Sequence, residues 1–349
     1  MRALRLVEFK REPELVEIPE PVPGPGEVVI AVGASGACHS DLHIMFDLDA
    51  AYTPWRLPFT LGHENAGRVH TLGEGVSEFD VGEAVAVYGA WGCGNCARCT
   101  LGIENYCERT QFTGGGGLGV DGGMADYLLV PSQRHLVRLP DGLDPVTAAP
   151  LTDAGLTSYH AIRRSWAKLT PDATIVLIGV GGLGHVGVQI ARATTGATVI
   201  AVDVKPEALA LAKKVGAHHT LLSGDGLSDA VAAQAIQDLT GGLGADVLVD
   251  FVGTAATIQL ARSAARTMAD ITIVGIAGGE VPVSFFSQPY EAAITSTYWG
   301  SRPELVELLA LAARGEVSVE HTTYSLENGA QAYRDLRAGK VDGRAVIVP

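Results

Sequence analysis

The chain has 349 residues, 47% of them hydrophobic, which suggests two cored domains of ordinary size. Its formal net charge of −14 argues against non-specific binding to nucleic acid, which needs a basic face to neutralise phosphates, so no nucleic-acid partner is expected. No apolar run reaches the ~18–20 residues needed to cross a bilayer, and the amino terminus has no signal-peptide core. The expectation is a cytoplasmic protein with no membrane contact.

The first ten residues alternate apolar and polar side chains, the signature of a strand. Short apolar runs follow at Val28–Val32, Ala66–Val69, Ala84–Val87 and Tyr127–Val130, punctuated by Gly and Pro, which predicts a β-rich first domain. Near Pro150 the rhythm changes. Thr174–Ile178 reads as a buried strand, Gly179–Gly184 as a turn, and His185 to about Thr194 as a helix. A strand at Thr198–Val202 and a helix from Pro206 to about Val215 come next, with further strands near Thr220–Leu222, Asp246–Phe251 and Ile271–Ile276. This alternation predicts an α/β domain, a doubly wound parallel sheet with helices on both faces. A helix over Pro303–Arg314 and a strand near Ala345–Val348 close the chain. The expected division is 1–152 with 293–349 as one domain and 153–292 as the other.

All five cysteines lie in the first domain. Cys93, Cys96, Cys99 and Cys107 form a C-x2-C-x2-C-x7-C lobe within residues 91–108. Four thiolates surround one tetrahedral Zn²⁺ at about 2.3 Å each and leave no open position, so this zinc is expected to be structural. Disulfides are disfavoured without a secretion signal, and an iron–sulfur cluster is the minor competitor. A catalytic zinc instead needs three protein ligands and an open fourth position. Cys38 and His63 offer two. With no further cysteine to spare, Asp153 is the best third ligand and Glu64 the runner-up.

Gly179, Gly181, Gly182 and Gly184, with Leu183 inside the turn, follow a strand and open a helix. Glycines there allow the tight turn and close approach of a pyrophosphate, whose charge the helix N-terminus favours. Asp203, ending the next strand, suits the adenosine ribose hydroxyls and disfavours a 2′-phosphate, so NAD is expected over NADP. Lys205 softens that repulsion. Val252 is counted among the cofactor contacts.

Taken together, the cysteine lobe, Cys38-His-Ser-Asp41, Gly62-His-Glu64 and the glycine turn resemble the zinc-containing medium-chain alcohol dehydrogenase family over essentially the whole chain. Pro150 to Thr157 and Tyr298 to Ser301 are most similar to its bacterial secondary-alcohol enzymes. The resemblance implies a GroES-like catalytic domain beside a Rossmann domain, two zinc ions per chain, NAD, and a small-molecule alcohol or carbonyl substrate bound in the cleft between domains. It makes Cys38 and His63 catalytic ligands, with Asp153 where many relatives carry a second cysteine. It lets Glu64 approach the metal transiently and has Asp41 orient His63. Ser40 takes the alcohol proton and His43 passes it on. His39 and Arg344 hold the pyrophosphate, and Phe46, Trp55 and Trp299 wall the substrate pocket. A homo-oligomer is implied, tetramer favoured over dimer. A polyol dehydrogenase of the same superfamily and a non-catalytic nucleotide-binding protein are the alternatives.

Overall fold

The computed structural model describes residues 1–48, 55–110, 115–224 and 229–349. The chain divides into two units, Met1–Leu156 with Trp299–Gly315 and Val319–Pro349, and Thr157–Tyr298 with Glu316–Ser318. Asp153 therefore belongs to the first unit, and residues 293–298 to the second, a few residues from the boundaries expected at 152 and 293. Ala149–Thr152, the last residues expected in the first domain before the junction, form a buried 3₁₀ turn against the first unit's strands, and Asn65 N–H donates to Thr152 Oγ1 at 3.1 Å.

The first unit is built on a seven-stranded sheet. Its main path runs His321–Ser325, Arg344–Val348, Val28–Ala37, Glu64–Leu72, Ala84–Val87, Leu136–Arg138, and Tyr127–Val130 also pairs with Val28–Ala37. A smaller sheet orders Glu14–Glu17, Arg2–Leu6 and Phe59–Thr60. The inner face of the large sheet is filled by Val28, Ile30, Val69, Val85, Leu128 and Leu136. A second cluster, including Leu4, Leu6, Met45, Phe59, Tyr333 and Ile347, packs the helices His39–Phe46 and Gly329–Arg337 onto it. Register decides what these strands present. Gly36 lies opposite Glu64, and Ala345 opposite Ala37, so the ends of three adjacent strands converge on Cys38, His63, Glu64 and Arg344.

The second unit is a six-stranded, all-parallel sheet ordered His219–Leu222, Thr198–Asp203, Thr174–Ile178, Ala245–Asp250, Ala265–Ile273, Ala293–Ser296. Chain order reverses beside Thr174–Ile178, so the glycine turn that follows this strand stands at the topological switch point, where such sheets bind ligands. Its buried core includes Val176, Ile178, Ile200, Val202, Leu248 and Ile271. The fifth strand begins at Ala265, six residues before the expected start at Ile271, because its first half holds polar or exposed residues that hide the apolar run. No helix among the described residues is long and apolar enough to cross a membrane.

Candidate active site and metal centres

The cysteine lobe closes as its spacing implies. Sγ atoms of Cys93, Cys96, Cys99 and Cys107 all lie within 4.8 Å of one another. Individual separations are 3.4 Å for Cys96–Cys99 and 3.9 Å for Cys93–Cys99 and Cys96–Cys107. Tetrahedral bonds of about 2.3 Å put sulfurs about 3.8 Å apart, so the lobe has the dimensions of a single zinc site. All five cysteines are free thiols, which sets the disulfide alternative aside. Backbone N–H groups of Cys93 and Arg109 donate to Cys107 Sγ at 3.3 and 3.4 Å. Burial pushes the Cys107 thiol up, but hydrogen bonds from the Thr110 side chain and backbone, together with these two, hold it down to about 5.

One support of this lobe left no mark in the cysteine pattern. Glu104, between the third and fourth cysteines, is almost wholly buried and accepts from Gly92 N–H at 3.0 Å and from Arg134 Nε at 3.3 Å. His135 Nε2 stands 3.4 Å from the same carboxylate, its ring stacked on Trp91. Burial raises the Glu104 carboxyl, and His135 and Arg134 outweigh burial to keep it below its ordinary value.

The second cluster is more varied in chemistry. Ligand atoms of Cys38, His63, Glu64 and Asp153 all lie within 4.8 Å of one another. Cys38 ends the strand Val28–Ala37 and opens the helix His39–Phe46. His63 precedes the neighbouring strand Glu64–Leu72. Asp153 Oδ2 stands 3.4 Å from His63 Nε2 and 3.9 Å from Cys38 Sγ. Tetrahedral zinc bonds of about 2.0–2.3 Å predict roughly 3.4 Å for the nitrogen–oxygen pair and 3.6 Å for the sulfur–oxygen pair. Thiol, imidazole and carboxylate are a donor set suited to zinc.

Glu64 is held differently. Arg344 Nε donates to Glu64 Oε2 at 3.0 Å, and Arg344 Nη2 to Oε1, so both carboxylate oxygens face the guanidinium. Arg344 Nη2 also lies 3.9 Å from Asp153 Oδ2. Gly36 makes room for this pair, since a Cβ there would lie 1.8 Å from Glu64 Oε2. Burial pushes the Glu64 carboxyl up to about 7, against the pull of Arg344. For His63, burial disfavours the charged ring, but Asp41, Asp153 and Cys38 overcome it and hold its pKa well above the ordinary value. The pocket is thus tuned to hold positive charge.

The residues around these ligands also take definite places. Ser40 Oγ lies 3.4 Å from His63 Nε2. His43 is half-exposed and bonds to Asp47 through Nδ1. Trp299 sets its ring edge-on to His63, centroids 5.8 Å apart, and donates from Nε1 to Thr152 O at 2.9 Å. Its backbone is left-handed, φ +53°, and Gly89 is obligatory beneath it, where a Cβ would meet the indole at 1.9 Å. Phe46 and Trp55 instead border the Leu4–Met45–Phe59 cluster. Arg337 lies over the Phe46 ring at 4.5 Å, and Trp55 meets Phe59 edge-on at 6.1 Å. His39 is exposed, whereas Arg344, matched by sequence to a pyrophosphate contact, is 2% exposed and faces Glu64. A phosphate role for Arg344 would require its release from that carboxylate.

In the second unit the glycine turn shows why its glycines are needed. Gly179 has φ +86°, and a Cβ at Gly184 would lie 1.9 Å from Gly179 O. A Cβ at Gly181 would meet nothing within 4 Å, which leaves open space for a ligand to approach the backbone. Val252 packs on this turn, its Cγ2 2.5 Å from where a Gly179 Cβ would stand. Leu183 O accepts from Ser158 Oγ at 3.0 Å. Asp203 accepts from Val180 N–H at 2.6 Å and Lys205 N–H at 2.9 Å, so the acidic residue shapes the turn itself. The Lys205 side chain is exposed at the start of the next helix.

A glycine turn at the switch point of a parallel sheet, in a chain that also builds a closed four-thiol site and a mixed-ligand site, defines the zinc-binding dehydrogenases as a class. The known proteins agree. The alcohol dehydrogenase GroES-like domain family matches residues 24–141 and the zinc-binding dehydrogenase family residues 182–314. An NAD-dependent alcohol dehydrogenase of Sulfurisphaera tokodaii is 36% identical, with the whole of both chains covered. The alcohol dehydrogenase of Aeropyrum pernix superposes with a TM-score of 0.90 at 34% identity over all of both chains. Acetophenone reductase from Geotrichum candidum, solved with NAD, superposes with a TM-score of 0.84 at 29% identity, covering 100% of this chain and 97% of that one. This chain belongs to the zinc-containing medium-chain alcohol dehydrogenase family.

Proposed function

We propose that the protein transfers hydride between NAD(H) and an alcohol and its ketone or aldehyde, with secondary alcohols and aryl or alkyl ketones as the preferred pair. The observation that carries this reading is the convergence of Cys38, His63 and Asp153 at separations that suit tetrahedral zinc. Cys38, His63 and Asp153 would hold the catalytic zinc, and Cys93, Cys96, Cys99 and Cys107 the structural one. Glu64, occupied by Arg344, serves as the neighbouring carboxylate rather than the third ligand. When bound, the catalytic zinc supplies Lewis acidity to a substrate oxygen.

The chain's own groups do the rest. Ser40 Oγ, within reach of His63 Nε2, receives the alcohol proton, and His43 passes it outward, assisted by its bond to Asp47. Trp299, rigid through its bond to Thr152 O, offers an apolar wall beside His63 and favours a bulky carbonyl partner. Phe46 and Trp55, which border the neighbouring apolar cluster, are the further candidates for pocket walls. Gly179 to Gly184 receive the pyrophosphate with backbone N–H groups, and Asp203, less Lys205's opposing charge, selects NAD over NADP. His39 is the remaining candidate for a phosphate contact. A cytoplasmic homotetramer completes the proposal.

The test combines metal analysis with activity on the native protein and Asp153→Ala, using NADH-dependent reduction of an aryl ketone. About two zinc ions per chain, falling to about one with loss of reduction in the variant, is the expected result. A variant that keeps both zinc ions and full activity removes Asp153 from the site and returns Glu64 to it. Faster turnover of vicinal polyols than of simple secondary alcohols would overturn the substrate assignment.

A further inference from the structure

The hydroxyl of Tyr333 is buried in the first unit, far along the chain from Cys38, His63 and Asp153. Its ring fills the core with Leu4, Met45, Met124 and Leu336, on the buried face of the helix Gly329–Arg337. The phenol has one proton and two neighbours able to accept it, Asp41 Oδ2 at 2.8 Å and Met124 Sδ at 3.2 Å. The carboxylate is the stronger acceptor, so the proton goes to Asp41.

Asp41 has no solvent exposure at all. A carboxylate so placed must find its partners within the protein. Oδ2 accepts from Tyr333 Oη and from Cys38 N–H at 2.9 Å. Oδ1 has no hydrogen-bond partner among the described residues, nor does His63 Nδ1, and the two atoms stand 3.1 Å apart. With Oδ2 occupied from two directions, Oδ1 is turned toward the imidazole. That arrangement favours the tautomer with its proton on Nδ1 and directs Nε2 at Asp153 and Cys38.

We propose that Tyr333 is a positioning residue for the metal-binding histidine: its hydroxyl clamps Asp41 so that Asp41 in turn orients His63. The inference rests on the reading that Cys38, His63 and Asp153 hold a metal. It extends the support of that site to the C-terminal helix, whose Tyr333 lies 292 residues from Asp41 in sequence. The ring serves the core and the oxygen serves the site, so Tyr333→Phe separates the two.

The experiment measures the affinity of each metal site by competition with a chelator, for the native protein, Tyr333→Phe, Asp41→Asn and the double variant. Visible spectra of the Co²⁺-substituted proteins report ligand geometry at the Cys38 site, and thermal melts of the metal-free forms control for packing. The expected result is one metal bound about tenfold more weakly in Tyr333→Phe, in the range typical of outer partners of a metal ligand. The cobalt spectrum should change, the second metal should be held as before, and Tyr333→Phe should add no further loss in the Asp41→Asn background. Native affinity and spectrum in Tyr333→Phe, with or without a lowered melting temperature, would overturn the proposal and leave Tyr333 a packing residue. Additive losses in the double variant would also overturn it, because the effect would not run through Asp41. A native protein that binds only one metal would overturn the underlying reading of the site, an outcome distinct from the other two.

Discussion

Arg344→Met tests whether the buried cation beside the ligand cluster is what keeps Glu64 charged. The pair is sealed, at 2% exposure for Arg344 and 0% for Glu64, and the guanidinium reaches both carboxylate oxygens. Two unit charges 3.0 Å apart attract by about 5 to 6 kcal/mol at an effective dielectric near 20. The measured cost of removing one partner of a buried pair is typically about 3–5 kcal/mol, because the other charge is left in a dry place. Glu64 limits the damage by taking a proton, which its pKa of about 7 already makes easy at neutral pH. We therefore expect about 3 kcal/mol of destabilisation in protein stripped of metal, a loss on the order of 10 °C in the melting temperature of this unit. Methionine keeps most of the stem's volume, so cavity formation contributes little. Restoring zinc should shrink the loss, since a divalent cation beside Glu64 replaces part of the missing charge. Denaturant and thermal melts of the native protein, Arg344→Met, and Arg344→Met combined with Glu64→Gln provide the assay. The double variant should recover much of the loss. A change under about 1 kcal/mol in the single variant, or an undiminished loss in the Glu64→Gln background, would refute the reasoning by showing that the charge of Glu64 is not what Arg344 stabilises.

Two other predictions concern positions away from the ligand cluster. Glu104→Gln weakens the carboxylate that holds Gly92 N–H and Arg134 around the cysteine lobe, at a cost of about 1–3 kcal/mol, and the lobe zinc should pass to a chelator about tenfold more readily with NADH affinity unchanged. Loss of the other metal first would contradict the assignment of Glu104 to the lobe. At Asp126, burial pushes the carboxyl up, but hydrogen bonds from the Arg2 side chain and backbone prevail and hold it below its usual range. Because the folded pKa is depressed, this contribution is present above the ordinary carboxylate range and is lost as pH falls through the folded value. Asp126→Asn should thus lower the melting temperature slightly near neutral pH, and melting curves of variant and native protein should converge in acid. A gap that persists or widens on acidification would assign the effect to packing instead.

Much of the site was legible because its chemistry is local in sequence. The four lobe cysteines are close enough along the chain that one loop brings their thiols together, and their spacing alone implied the geometry found. The glycine turn was equally readable, since its strand, turn and helix are consecutive. Asp153 and Glu64 were harder to separate, because Glu64 adjoins His63 in sequence whereas Asp153 reaches it only through folding. What distinguishes them is Arg344, which closes both oxygens of Glu64 from a strand almost three hundred residues downstream. Trp299 was named through the family resemblance, but its place against His63 depends on a left-handed backbone and on Gly89, which lies on a distant segment. Glu104 and Tyr333 were missed altogether. A glutamate in a loop and a tyrosine on an apolar helical face are ordinary in sequence, and their roles come from partners that only folding supplies.

The amino-acid sequence by itself determined the α/β architecture of the second unit, the β-rich character of the first, the thiol lobe and the glycine turn. Each of these depends on periodicity or spacing within a few dozen residues, where local backbone geometry is enough. The tertiary structure decided which carboxylate faces the histidine and which faces the arginine, and set a buried tyrosine against Asp41. Those outcomes depend on strand register and desolvation. Register places Gly36 against Glu64 and Ala345 against Ala37, and loss of water makes every unpaired charge there costly enough to select a partner.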